Sequence, residues 1–98
     1  MKVRLHSRAR RDLAEIRNFI RQTIGPETAE RVRLHLKERL ERLGRFLQLG
    51  IASSEPGIRI LSPGLYPYRI YFTVTSDAVV ILHIRHTSRL EPEADELC

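Results

Sequence analysis

The chain has 98 residues, with 17 basic side chains against 12 acidic ones, a net charge of +5, and 42% hydrophobic residues. This length suits one domain around one modest core, and the hydrophobic share excludes an intrinsically disordered chain. The lone cysteine, Cys98, excludes an intramolecular disulfide and a multi-cysteine metal site.

Residues 2–6 alternate polar and apolar side chains, the period of a half-buried strand. Ser7 is the expected N-cap of a first helix, in which Ala9, Leu13, Ile16, Ile20 and Ile24 recur at steps of three and four. Gly25-Pro26 breaks that helix and opens a second, since proline suits a first helical turn and Glu27 and Glu30 complement its dipole. Ala29, Val32, Leu36, Leu40, Leu43 and Leu47 carry the stripe onward, and Glu38 and Arg42 have i,i+4 spacing for an ion pair. The break at Gly25-Pro26 favours an antiparallel helical hairpin over a coiled coil.

Residues 50–56 read as loop from their Gly, Ser and Pro content. Ile58 and Ile60 then alternate with Arg59 and Leu61, and a long strand follows in which Tyr68, Ile70, Phe72 and Val74 share one face and Arg69, Tyr71 and Thr73 the other. Ser76-Asp77 makes a tight connection to a last strand over residues 78–86. The apolar run 78–82 is far short of the ~18 residues a membrane span needs, and no secretory signal opens the chain, so a soluble cytoplasmic protein is expected. Residues 1–90 form the expected single domain, and 91–98 an acidic, poorly ordered tail.

The expected fold class is α+β: a strand, a two-helix antiparallel hairpin, then an antiparallel strand meander, with the helices packed on one face of the sheet. If Val80, Leu82 and Ile84 face the helices, the open face collects Arg59, Arg69, Tyr71, His83 and Arg85. All basic residues except Lys2 and Lys37 are arginine, suited to bidentate contacts with carboxylate or phosphate; this suggests an acidic partner, or else a merely solvated surface. His6 and His35 stand outside any constellation of chemistry-bearing residues.

Several segments carry a resemblance to a known family. Residues Ser7-Arg8-Ala9-Arg10-Arg11-Asp12-Leu13-Ala14-Glu15-Ile16, the helix end Leu40-Glu41-Arg42-Leu43 with Leu49-Gly50, then Pro56-Gly57-Ile58-Arg59-Ile60-Leu61, Tyr66-Pro67-Tyr68-Arg69-Ile70-Tyr71-Phe72 and Ile81-Leu82-His83-Ile84-Arg85-His86 are similar, in order and spacing, to the RelE/ParE toxin superfamily. The proline-flanked Tyr66-Pro67-Tyr68 and the extended second helix resemble its ParE-like branch. The resemblance implies the toxin of a type II toxin–antitoxin system, without cofactor or metal, inhibiting DNA gyrase and held in a hetero-oligomer by a cognate, ParD-like antitoxin. It implies target or partner binding by Arg59, Arg69, Tyr71, Arg85 and Arg89.

Two alternatives stand beside that reading. A RelE-like member cleaves messenger RNA on the ribosome, a role for which Arg59, Arg69, His83, Arg85 and His86 supply the candidate phosphate-binding and acid–base groups. Ribonuclease members add lysines near the centre and a tyrosine or histidine after the last strand, and residues 90–98 contain none of these. The other alternative is a non-toxic relative that keeps only antitoxin binding.

Overall fold

The computed structural model describes residues 1–62 and 64–87. In chain order it runs β1 (Lys2–Leu5), α1 (Ser7–Thr23), α2 (Pro26–Arg45), a 3-10 turn (Leu47–Leu49), β2 (Gly50–Ala52), β3 (Arg59–Leu61), β4 (Tyr68–Val74) and β5 (Ala78–His86). The strands form one sheet in the order β1-β5-β4-β3-β2. Strands β2 to β5 make the antiparallel meander, and β1 joins parallel to β5, with Lys2 opposite Ala78 and Leu5 opposite Ile81. The sheet is therefore mixed; the long excursion through both helices and the meander is what lets the first and last strands run side by side in one direction. Segment 50–56, expected to be all loop, begins with β2, because Gly50 and Ala52 pair with Leu61 and Arg59.

The helix cap differs from expectation. Ser7 is already helical, and His6 precedes it in extended backbone, its Nδ1 accepting the Arg8 N–H at 3.2 Å. An imidazole lone pair thus satisfies one of the orphan N–H groups that a hydroxyl was expected to meet. Gly25 links the helices at φ 153°, where a side chain would be strained, and Pro26 opens α2. Ile24 falls at the C-cap of α1 and is 69% exposed, so it leaves the stripe.

Along α2 the three/four spacing has its physical result: Ala29, Val32, Leu36, Leu40 and Leu43 are buried, and Leu47 packs on the same core from the 3-10 turn. Glu38 and Arg42 do not form the expected ion pair; on this helix Glu30 pairs with Arg33 instead, at 2.6 Å. The hairpin packs these residues onto Leu61, Ile70, Phe72, Val79, Ile81 and Ile84 of the sheet. Burying each large aliphatic side chain contributes about 1.5–3 kcal/mol. β1 is tied to α2 where the Met1 ammonium donates to the Gly44 carbonyl at 2.9 Å.

The facing of β5 departs from the alternation. Val79 and Ile81 are fully buried toward the helices, whereas Val80 and Leu82 are only half-buried. A bulge causes this: Tyr71 pairs with His83 but Phe72 pairs with Ile81, so Leu82 is the extra residue. Ile84 lies in the core as expected, but it shares that face with 79 and 81 rather than with 80 and 82. Arg89 and the acidic segment 91–98 lie outside the described residues.

Candidate functional site

The sheet surface turned away from the core brings together four of the five side chains expected there. Arg69 lies opposite Arg85, and Tyr71 opposite His83, on β4 and β5. Arg59 is the exception: it pairs with Phe72, a core residue, and so belongs to the other face, where its guanidinium donates to the Gly50 carbonyl. Ile60, not Arg59, sits beside Tyr71 on the outer face. A three-residue strand has no margin for error in parity: its opposite neighbours decide its facing.

Tyr71 and His83 are themselves buried, at 2% and 3% exposure. Tyr71 packs with Ile60 and Ile58 into a small second apolar cluster, and its ring lies 6.2 Å from that of His83, centroid to centroid. The half-buried arginines Arg69 and Arg85 remain as the reachable cationic groups of this quartet. Arg69 and Arg85 thus place two like charges directly across a strand pair.

His83 is anchored by a residue that the sequence reading did not single out as functional. β1 ends at Leu5, opposite Ile81, and the His6 N–H still reaches the Ile81 carbonyl at 2.8 Å. Beyond that point α1 takes over the vacated edge of β5. The buried Asp12 carboxylate accepts the Ile84 N–H at 3.0 Å and a short hydrogen bond from His83 Nδ1, and Arg8 stands 3.5 Å away. A carboxylate can only accept, so the ring carries its proton on Nδ1, which leaves Nε2 to face Arg85 Nη1 at 3.4 Å. Burial raises the Asp12 pKa, but the His83 hydrogen bond, the Ile84 N–H and the His83 and Arg8 charges outweigh it and hold the carboxyl below its ordinary value. The sequence does carry a signal for this: Asp12 lies three residues from Ala9 and four from Ile16, inside the apolar stripe, where an acid must find buried partners.

His86 lies on the helix side, edge-on to Tyr68 with ring centroids 5.5 Å apart. Burial raises the Tyr68 pKa. Both rings border a cavity of about 490 Å³ between α1 and β5, lined also by Asp12, Phe19, His83, Ile84 and Arg85. Tyr68 and His86 thus lie on the sheet face opposite Arg69, while Arg85, at the uncovered edge of β5, borders the same cavity as they do.

A larger groove of about 540 Å³ runs between β1 and the two helices, floored by Val3, Leu5, Leu13, Val32 and Leu36 and bordered by Arg10, Arg17, Arg33 and Lys37. It is apolar within, and its rim is mainly cationic, with Glu41 also lining it. No group of three or more metal-ligating side chains is present among the described residues, and no helix there is long and apolar enough to cross a membrane.

The comparisons agree with this architecture. Residues 3–91 match the family described as ParE toxin of type II toxin-antitoxin system, parDE. The chain is 35% identical over 86 residues to Toxin RelE3 of Caulobacter vibrioides, covering 87% of this chain and 92% of that one. Among solved structures it is similar to a chain of the chromosomal ParDE system from P. aeruginosa, with TM-score 0.79, 27% identity, and coverage of 88% and 95% of the two chains. It is also similar to a chain of the RelBE2 toxin-antitoxin complex from Mycobacterium tuberculosis, with TM-score 0.64, 25% identity, and coverage of 87% and 95%. The helical hairpin on a five-stranded sheet, with matching sequence across nearly its whole length, makes this chain a member of the ParE toxin family, a type II toxin of the ParE/RelE superfamily.

Proposed function

We propose that this toxin acts by binding rather than by catalysis, as a ParE-like inhibitor of DNA gyrase neutralised by a cognate ParD-like antitoxin. The observation that carries the reading is the state of the two histidines of β5. RNA cleavage through a ribose 2′-hydroxyl needs an acid–base group beside the phosphate-binding cations. His83 is 3% exposed and committed through Nδ1 to Asp12, and His86 packs edge-on against Tyr68 on the sheet face opposite Arg69. An arginine pair whose neighbouring histidine, His83, is buried and engaged by Asp12 suits recognition of an acidic surface better than phosphodiester chemistry. The apolar groove with its cationic rim supports antitoxin docking there, by an amphipathic segment with acidic flanks.

A ribosome-dependent ribonuclease is the second reading, favoured by the name of the Caulobacter relative, Toxin RelE3. Expression of the toxin without antitoxin separates the two. The gyrase reading expects loss of supercoiling activity and DNA breaks with intact messages, and Arg69→Ala should reduce both effects while changing stability by no more than about 0.5 kcal/mol. Codon-phased cuts in translated messages, abolished by the same substitution, would replace it with the nuclease reading. Absence of both activities would leave an antitoxin-binding relative.

A further inference from the structure

A second cationic cluster lies between the middle of α2 and the end of β3. His35, Arg39 and Arg42 follow one another at steps of four and three, which places them on one face of the helix. With Leu61, Ser62 and Leu49 they line a cavity of about 290 Å³, too small for a drug-sized ligand but roomy for a small anion. Arg39 is held in place at one end, where its Nη2 donates to the Ser62 carbonyl. His35 is held by its edge-on contact with Tyr66, ring centroids 5.1 Å apart.

Two nitrogens in this cavity, His35 Nε2 and Arg39 Nε, are buried and have no hydrogen-bond partner among the described residues. Unsatisfied buried polar atoms are rare, and each calls for a ligand or a reason. The two side chains also converge. A methyl group on Gly64 would lie 2.5 Å from Arg39 Nη1 and 3.0 Å from His35 Nε2, so both nitrogens crowd the side of Gly64 that its missing side chain leaves open. Arg42 adds a second positive charge, and the ion pair that Glu38 was expected to make with it is not formed.

We propose that this cavity is an oxyanion site that takes a phosphate group, either inorganic phosphate or the terminal phosphate of a small phosphomonoester. Three donor side chains from successive turns of a helix, with a fixed backbone contact behind one of them, surround a tetrahedral anion better than a planar carboxylate, which two coplanar donors satisfy. Burial and the adjacent Arg42 charge hold the Arg39 pKa below its ordinary value, a cost that a bound anion relieves. Glu38 also borders the cavity and opposes any anion there. The site is separate from the arginine pair on the sheet, so its occupancy does not depend on whether the toxin acts on gyrase or on messages.

The test is an NMR titration of the purified full-length protein, following the Arg39 Nε–H and the His35 ring. The probes are inorganic phosphate, a nucleoside monophosphate and acetate, against chloride at matched ionic strength. Saturable shifts at both groups with phosphate are expected, weakened at least about fivefold in Arg42→Gln and strengthened about threefold in Glu38→Gln. Gly64→Ala should displace the Arg39 guanidinium from the cradle and abolish the response, and the melting temperature of the variant checks that the fold is retained. Tighter binding of the monophosphate would assign the site to an esterified phosphate, and equal or weaker binding to the free anion. Acetate binding as well as phosphate would overturn the proposal in favour of an acidic side chain of a protein partner. A response no larger than that to chloride, or one untouched by Gly64→Ala and Arg42→Gln, would overturn it outright.

Discussion

Replacing Asp12 by alanine tests whether the buried carboxylate joins α1 to the free edge of β5. The substitution strips the acceptor from two buried donors, the Ile84 N–H and His83 Nδ1–H. Each donor left buried without a partner costs about 1–3 kcal/mol, so the loss for two is roughly 2–6 kcal/mol. The contact with Arg8 adds little, since that side chain is 39% exposed and its charge is screened by water. A domain of this size has ~5–15 kcal/mol of total stability, so the change removes a large part of it. At ~4–8 °C per kcal/mol for a small domain, the melting temperature should fall by roughly 10 °C at the least and up to about 45 °C. Thermal and urea unfolding followed by circular dichroism give the answer, with an unchanged urea slope showing that stability and not the unfolded state has moved. Asp12→Asn keeps one acceptor oxygen and should lie between wild type and Asp12→Ala. A fall of less than about 5 °C for Asp12→Ala would mean that water satisfies both donors, and that α1 is held to β5 by apolar packing alone.

The same carboxylate sets an acid limit on stability. Its folded pKa lies below the unfolded value of ~3.9, so the stabilisation is fully present above that pH and is lost as pH falls through the folded pKa. Wild-type stability should therefore drop below pH ~4 more steeply than that of Asp12→Asn, as urea midpoints across an acid series would show. Gly50→Ala should cost about 1–3 kcal/mol by overpacking, because its methyl group would come within 2.3 Å of the Phe72 ring; calorimetry of the variant checks this. Antitoxin association, driven by an apolar groove with a cationic rim, should slow markedly on raising salt to ~0.1 M while dissociation changes little, in surface-capture kinetics.

Local sequence was a sufficient guide wherever the physics is local. The three/four stripes of α1 and α2, the Gly25-Pro26 break and the alternation of β4 each follow from one residue's geometry relative to the next few, and each helix or strand stands where that pattern puts it. The resemblance of ordered motifs led to the family for the same reason, since those motifs are the element ends and core faces themselves. What failed did so at short or irregular elements. β2 has three residues, too few for a period to register, and one extra residue, Leu82, moved Val80 and Leu82 off the core face and put Val79 and Ile81 on it.

The site was legible only in part. Arg69, Tyr71, His83 and Arg85 were rightly grouped, because β4 and β5 are long and adjacent and their facing residues share a surface. Arg59 was misplaced, His83 proved to be buried, and Asp12, His35 and Arg39 passed as ordinary helix residues. Their roles depend on partners far along the chain: Asp12 meets His83 at a separation of 71 residues, and Arg39 meets Ser62 at 23. By itself the sequence determined a basic α+β domain, its helical hairpin and the arginines available for an acidic partner. The tertiary structure decided the parallel pairing of β1, which buried carboxylate fills the edge that strand leaves open, and which cations converge on a common cavity. Hydrophobic period is written between neighbours, whereas strand pairing and the satisfaction of buried polar groups are settled only when distant segments compete for the same hydrogen bonds.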